Sequence, residues 1–345
     1  METVLLAADD VGLAEATRIL RQGGLVSFPT ETVYGLGGMA RIPEAIRAIF
    51  AAKGRPATDP LILHLPDPDL ARAVAEGWLS SPLPPKAVTL AEAFWPGPLT
   101  LVLPKGKDVN PEITAGLPTV AVRCPSHSVA RQLLRLLGEP LVAPSANRFG
   151  RISPTDAEAV RQELGGRIPL ILDGGPCPLG VESTVVRITA DGAEVLRPGG
   201  ISTEQISRTL GTSVAFRPST EKPKSSQASP GMLASHYAPR TPLYLCKEPI
   251  RNFLPGCFHL VFQQAKNNKP PHTLYLASDG RLETAARELY RNLRLADDSG
   301  AQKILVEPVP EGSWAEALRD RLTRASTGTA IWKNQDWEIV RRPGA

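Results

Sequence analysis

Several short stretches of this 345-residue chain place polar and charged side chains where apolar strands end. In KGRPATDP (53–60), Lys53 and Arg55 stand close together in a loop stiffened by Pro56 and Pro60, just before the apolar run LILHL. Two cations at a strand entrance suit a polyphosphate, with Arg supplying a planar fork and Lys a compact charge. A solvated Lys-Arg turn is the alternative reading. Arg123 closes the strand TVAVR, and its natural bidentate partner is a carboxylate, either a ligand's or the protein's own. His64 lies inside LILHL, as a satisfied core histidine or as a contact to something bound. In APSANRFGRISPT (143–155), Ala143, Ser145, Ala146, Asn147 and Ser153 allow a ligand close to the backbone, and Ser145 and Asn147 can donate to phosphate oxygens, or the segment serves as Ser and Asx turns. Ser183 and Thr184 open a strand after Glu182, and Arg197 ends another. SFPTETVYGLGG (27–38) follows a buried strand with Thr30, Glu31 and Thr32, then with Gly35, Gly37 and Gly38.

These groups need elements to hold them at strand ends. The first two hundred residues alternate helical and strand patterns: helices over 13–22, 43–52, 67–76, 86–94, 126–137 and 156–164, and strands at 24–28, 61–65, 98–104, 119–125, 141–147, 168–175, 183–188 and 193–199. The consecutive strands near 183–197 imply antiparallel pairing within a mixed α/β domain. Open α/β sheets bind ligands at strand ends, which is where the polar groups collect. Residues 212–242 are rich in Pro, Ser and Lys and read as an extended linker. Beyond it, TPLYLC, FHLVF, HTLYLAS and KILVEPVP read as strands, and RLETAARELYRNLRLADD and WAEALRDRLTRAS as helices, giving a small α/β domain with a mostly parallel sheet. The expected division is 1–211, 212–242 and 243–345.

Composition excludes some classes. No run of about 18 apolar residues exists, so no membrane span is expected. METVLLAADDVG lacks the basic start and apolar core of a signal peptide. Cys124, Cys177, Cys246 and Cys257 lie far apart, which reads as reduced thiols in a cytoplasmic protein and excludes a Cys-rich zinc site. The net charge of +4 falls short of a nucleic-acid-binding tail. Neither a GxxxxGKS/T phosphate loop, a GxGxxG turn nor a GxSxG elbow is present.

SFPTETVYGLG, KGRPATDPLILH, TVAVRCP, APSANRFGRISPT, ESTVV, LRPGG and SPGMLASHYAP, in this order, resemble the threonylcarbamoyl-AMP synthase family in its longer form. The resemblance implies a YrdC-like mixed twisted sheet with a concave basic site, followed by a smaller Rossmann-like α/β domain. It implies a nucleotidyltransferase that makes L-threonylcarbamoyl-AMP and pyrophosphate from L-threonine, bicarbonate and ATP. The product then passes to a separate transferase that modifies tRNA beside the anticodon, so any tRNA contact of this chain is indirect. By the same resemblance, Thr32, His64, Arg123, Ala143 and Ser183 surround threonine. Lys53, Arg55, Asp59, Thr119, Ser145, Asn147, Ser153, Arg197 and Tyr237 contact ATP, with Lys53 and Arg55 offsetting leaving-group charge. Mg2+ arrives on the triphosphate. His236 and Tyr237 would bring the linker over the nucleotide as a lid. Some family members carry a basic residue where Leu233 stands, so a phosphate contact there is not expected. Two other readings are an RNA-binding module, which the 5% aromatic content disfavours, and a carbamoyl-transfer enzyme on the same fold, which would add CxxC zinc fingers.

Overall fold

The computed structural model describes residues 2–189, 192–216, 236–262, 270, 272–334 and 336–342. The chain divides into two compact units. The first comprises Met1–Phe149, Ser153–Pro178 and Glu182–Leu233; the second comprises Gly150–Ile152, Leu179–Val181 and Ala234–Ala345. Of the expected linker and lid, 217–235, including Leu233, lie outside the described residues.

In the first unit the elements run β1 (Val4–Ala7), α1 (Asp10–Arg21), β2 (Val26–Phe28), β3 (Gly35–Met39), α2 (Pro43–Lys53), β4 (Ile62–His64), α3 (Leu70–Ala75), α4 (Pro85–Phe94) and β5 (Leu99–Pro104). They continue with β6 (Thr119–Arg123), α5 (Ser128–Leu137), β7 (Leu141–Val142), α6 (Ala157–Leu164), β8 (Leu170–Asp173), β9 (Thr184–Ile188), β10 (Ala193–Arg197), α7 (Thr203–Leu210) and β11 (Ala215–Phe216). Local chemistry sets the boundaries. Asp9 caps α1 by accepting from the Gly12 amide. Pro43 starts α2, and Gly54, at φ 63°, ends it in the left-handed region. Ser202 and Gln205 close a capping box on α7. The strands form a mixed sheet in the order β1-β8-β2-β3-β7-β4-β6-β5-β9-β10-β11. As expected, β9 and β10 pair antiparallel. The start of the expected linker instead adds Ala215–Phe216 as an edge strand parallel to β10.

Along β4, β5 and β6 the side chains alternate between two environments. Leu63, Leu99, Leu101, Leu103, Val120 and Val122 enter the large core. The opposite face carries a much smaller apolar cluster: Ile62, Val102, Ala121, Val185 and Leu196. That second face is the one the site occupies.

Gly37 and Gly38 of β3 serve packing. A Cβ on Gly37 would stand 2.7 Å from Phe28 Cε1, and one on Gly38 would press Ala45 and Ile49 of α2 at 3.2 Å. β3 is an interior strand between β2 and β7, and only glycine leaves room there for the Phe28 ring and for α2.

The second unit contains β12 (Leu243–Cys246), β13 (Cys257–Val261), β14 (Thr273–Tyr275), α8 (Leu282–Asp297), β15 (Lys303–Val306), α9 (Ala315–Ala325), β16 (Gly328–Lys333) and β17 (Asp336–Arg341). Its sheet has the order β14-β13-β15-β12-β16-β17. All described pairings are parallel except the β16–β17 hairpin at the edge. The predominantly parallel expectation is met, and the hairpin is an addition to it.

Candidate functional site

The site starts from strand register. Leu141 of β7 pairs with His64 of β4, His64 with Arg123 of β6, and Arg123 with Thr100 of β5. Thr100 pairs with Val185 of β9, and Val185 with Arg197 of β10. One row across the sheet therefore sets His64, Arg123, Thr100 and Arg197 side by side. Sequence separation hides this line; pairing creates it. Thr119 shares the Arg123 face of β6, four residues earlier and so roughly 13 Å along the strand. Ala143 follows β7, with its amide donating to the Ile62 carbonyl at 3.0 Å.

Arg123 is the hub at one end. Its Nη1 donates to Thr32 Oγ1 at 2.9 Å. Its Nη2 lies 2.7 Å from Glu31 Oε1, off the hydrogen-bonding direction, so that pairing is electrostatic. Among the described residues, Arg123 Nε and Nη2 have no hydrogen-bond acceptor, and neither Glu31 oxygen has a donor. All of these groups are buried. Buried polar atoms are almost always paired, so the Nε and Nη2 atoms of this guanidinium, on the edge that can grip a carboxylate, mark a candidate binding point. Thr30 fixes the turn: its Oγ1 donates to the Val33 carbonyl at 2.6 Å and stands 2.8 Å from Thr32 Oγ1. Of the two threonines, Thr32 therefore meets Arg123, and Thr30 holds the turn.

His64 is buried, with Nδ1 3.2 Å from the Ile62 carbonyl. Burial, helped by the Arg123 cation, lowers its pKa to about 3, so the ring is neutral near neutral pH. Ser183 Oγ lies 2.7 Å from Thr100 Oγ1 and accepts from Arg197 Nη2 at 3.1 Å. Arg197 also donates through Nε and Nη2 to the Ser183 carbonyl.

The second cluster gathers at the end of α2. Lys53 is buried, and its Nζ donates to the carbonyls of Ser145 and Asn147 at 2.6 and 2.5 Å. Burial, then the nearby Arg55 cation, pushes its pKa well below the ordinary lysine range. Its hydrogen bonds thus shape the 143–155 loop from within, and its burial rules out the solvated Lys-Arg turn. Arg55 is buried as well and donates to the carbonyls of Asp59 and Pro60 at 3.0 and 2.6 Å. Its Nη2 is 3.0 Å from Asp59 Oδ1, but neither Asp59 oxygen makes a hydrogen bond among the described residues. Burial raises the Asp59 pKa against the pull of Arg55, Lys53 and Arg197, which places Arg197 within reach of this cluster too. Ser145 bridges to Gly35, Asn147 Nδ2 donates to the Arg148 carbonyl at 2.7 Å, and Ser153 Oγ donates to Glu182 Oε1 at 2.6 Å.

The fold therefore brings together every expected site residue of the first unit except Thr119, which lies further along the same sheet face. Tyr237 belongs to the second unit. It is buried at φ 63°, its ring stacked on Tyr290 at 5.7 Å with the Arg321 guanidinium 5.2 Å away. The sequence reading passed over Thr100 and Glu182 and left Glu31 undecided between turn cap and contact. Thr100 had a signal: it is the polar residue interrupting PLTLVLP. Among the described residues, no three His, Cys, Asp or Glu side chains gather to hold a metal ion.

The family described as "Telomere recombination" (Sua5, YciO and YrdC) matches residues 18–199, and the family described as "Threonylcarbamoyl-AMP synthase, C-terminal domain" matches residues 201–327. The threonylcarbamoyl-AMP synthase of Bacillus subtilis is 41% identical, with 94% of this chain and 96% of that protein aligned. The Pyrococcus abyssi enzyme of the same name is 39% identical over 90% of this chain and 93% of its own length. The crystal structure of Pyrococcus abyssi Sua5 complexed with L-threonine superposes with a TM-score of 0.83 at 37% identity, covering 94% of this chain and 97% of that one. The mixed α/β architecture, the ordered motifs and these full-length similarities agree: the chain belongs to the threonylcarbamoyl-AMP synthase family.

Proposed function

We propose that this chain converts L-threonine, bicarbonate and ATP into L-threonylcarbamoyl-AMP and pyrophosphate, acting as a nucleotidyltransferase. Arg123 is the single observation that carries the reading. A buried guanidinium with an unfilled Nε–Nη2 edge, held by Thr32 and Glu31, is built to take an α-carboxylate. Neutral His64, Ala143 and the Thr100–Ser183 hydroxyl pair then enclose the rest of a small amino acid. The L-threonine in the Pyrococcus abyssi Sua5 complex supports the choice of amino acid.

The chemistry needs no protein nucleophile. The threonine amine and bicarbonate give a carbamate and water. A carbamate oxygen then attacks the α-phosphorus of ATP, the bond to the bridging oxygen breaks, and pyrophosphate leaves with that electron pair. Such transfers are driven mainly by positioning and charge. Arg55 and Arg197 supply positive potential, and Lys53 holds the carbonyls of Ser145 and Asn147 in place. Ser145, Asn147 and Ser153 line the nucleotide, with Asp59 and Thr119 beside it. Mg2+ would enter as part of MgATP, bridging no protein group that the reading requires. The product feeds a separate transferase acting on tRNA. Buried, unbridged Cys124, Cys177, Cys246 and Cys257 suit a cytoplasmic setting.

The test uses labelled bicarbonate with ATP, Mg2+ and the full-length protein. Pyrophosphate release should require L-threonine, and the label should appear in an adenylate. Release that ignores threonine, or no release at all, overturns the proposal.

A further inference from the structure

Three residues of the site loop, Gly150–Ile152, cluster with the second unit, although Asn147 precedes them and Ser153 follows them in the first. The contacts that hold the three lie inside the second unit. The Ala238 amide donates to the Gly150 carbonyl at 2.9 Å, and Arg151 and Ala238 form a parallel bridge. Arg294 of α8 donates to the Ile152 carbonyl. Arg151 Nη2 lies 3.4 Å from Asp297 Oδ2.

Asp297 is the junction of this set. It is the last residue of α8, and its side chain is only 4% exposed. Its Oδ1 accepts from the Thr241 amide at 2.7 Å, and its Oδ2 from Arg240 Nε at 3.2 Å. Its own carbonyl lies 3.4 Å from Thr241 Oγ1. Helix stability does not explain an aspartate here, because a carboxylate at a helix C-terminus opposes the macrodipole. Burial adds a further cost. What the position gains is a bond to each of two incoming segments: Arg151 from the site loop, and Arg240–Thr241 from the chain that leaves the linker.

We infer that Asp297 is a positioning residue for nucleotide binding: one buried carboxylate ties the 143–155 loop to segment 236–241, so the second unit fixes the loop that presents Ser145, Asn147 and Ser153. The inference rests on the proposed reading of those three residues as nucleotide contacts. It separates the two substrates. Thr32, His64, Arg123 and Ser183, proposed for threonine, lie on other segments of the first unit, and Ala143, at the far end of the loop from 150–152, has its amide held separately by the Ile62 carbonyl at 3.0 Å. Loosening the tie should reach ATP and spare threonine. It also gives the second unit a part in the reaction without placing any of its groups on the reacting atoms.

Full-length Asp297→Asn and Arg151→Gln test this. Asparagine keeps the shape and an oxygen for the Thr241 amide while removing the charge that faces two guanidiniums. Arg151 is partly exposed, so its substitution does not endanger folding. Each variant should raise KM for ATP by about tenfold, the order expected for one lost charge-assisted bond, with KM for L-threonine within about twofold. The double variant should be no worse than Asp297→Asn alone, since both changes cut one tie. Hydrogen exchange should quicken in peptides covering 148–153 and 236–242 of Asp297→Asn and stay unchanged in β12 and β15. An unchanged KM for ATP, equal rises for both substrates, or a fall in kcat alone overturns the inference, and so does a double variant whose effects multiply. If the unaltered protein makes no threonine-dependent pyrophosphate, the proposed function has failed, and the exchange experiment then decides the tie by itself: unchanged exchange at 148–153 overturns it.

Discussion

Replacing Arg123 with lysine isolates the fork from the charge. In the folded chain Arg123 donates to Thr32 at 2.9 Å, lies 2.7 Å from Glu31, and leaves Nε and Nη2 without acceptors. Lysine keeps the positive charge beside Glu31 but offers one compact ammonium in place of a planar edge. The loss is therefore the bidentate, charge-assisted grip, worth about 1.5–3 kcal/mol. At about 1.4 kcal/mol per decade this predicts a roughly 10- to 150-fold fall in kcat/KM for L-threonine. KM for ATP should change by less than about threefold, because the proposed phosphate-facing cations are other residues. Alanine is the poorer choice. It would strand Glu31 as a buried unpaired charge at a cost of about 3–5 kcal/mol, a large part of the roughly 5–15 kcal/mol that holds a domain together. The assay is initial-rate pyrophosphate release, varying threonine at saturating ATP and then the reverse. An equal fall in both specificity constants, or no fall for threonine, would show that the fork is not the carboxylate site.

The His64 ring, at about 3 when folded against about 6.5 when unfolded, binds its proton only in the unfolded chain across that window. The stability it allows is present above pH 6.5 and is lost as pH falls toward 3. Denaturation measured from pH 6 to 4 should show His64→Gln flattening the pH slope by up to about 1.4 kcal/mol per unit, and an unchanged slope contradicts the assignment. Gly37→Ala forces a Cβ to 2.7 Å from Phe28 Cε1 and should cost about 1–3 kcal/mol, read as a lowered Tm; an unaltered Tm would mean the strand relaxes freely. Lys53→Met strips the donors from the Ser145 and Asn147 carbonyls and should cost about 1–3 kcal/mol for each carbonyl left dry. It should also raise KM for ATP, and a stable variant with normal ATP kinetics would remove Lys53 from the site.

Much of the architecture follows from periodicity, because alternation in LILHL, PLTLVLP and TVAVRCP matches β4, β5 and β6. β1 and the β16–β17 hairpin are harder to read. Val4 and Leu5 are exposed, so the strand lacks the buried alternation that marks its neighbours. The hairpin turns near Asn334, among polar residues that look like a loop. Site residues were legible where a polar side chain ends an apolar run, as at Arg123 and Arg197. Their partners were not: Glu31, Thr100 and Glu182 meet Arg123, Ser183 and Ser153 across long stretches of chain, and only folding joins them. The packing role of Gly37 was not legible, because a glycine needed for a ligand and one needed for a phenylalanine ring look alike in sequence.

The same register separates two ways of using a cation. Lys53 and Arg55 lie in one cluster, and each already donates to two main-chain carbonyls, Lys53 to those of Ser145 and Asn147 and Arg55 to those of Asp59 and Pro60. Those bonds hold this cluster in shape and, on the proposed reading, leave charge as the main effect of Arg55 on a bound nucleotide. Arg123, one strand from His64 and one from Thr100, keeps its carboxylate-gripping edge unfilled. Hydrogen bonds discriminate by direction, whereas charge acts over distance with little regard for it. An arrangement with directed bonding at one end and preset potential at the other suits a reaction in which a small amino acid must be oriented closely while a highly charged nucleotide is drawn in and neutralised. The first task needs an unsatisfied donor; the second needs donors already locked in place. That division explains why neighbouring basic residues in one site differ so sharply in what they bond.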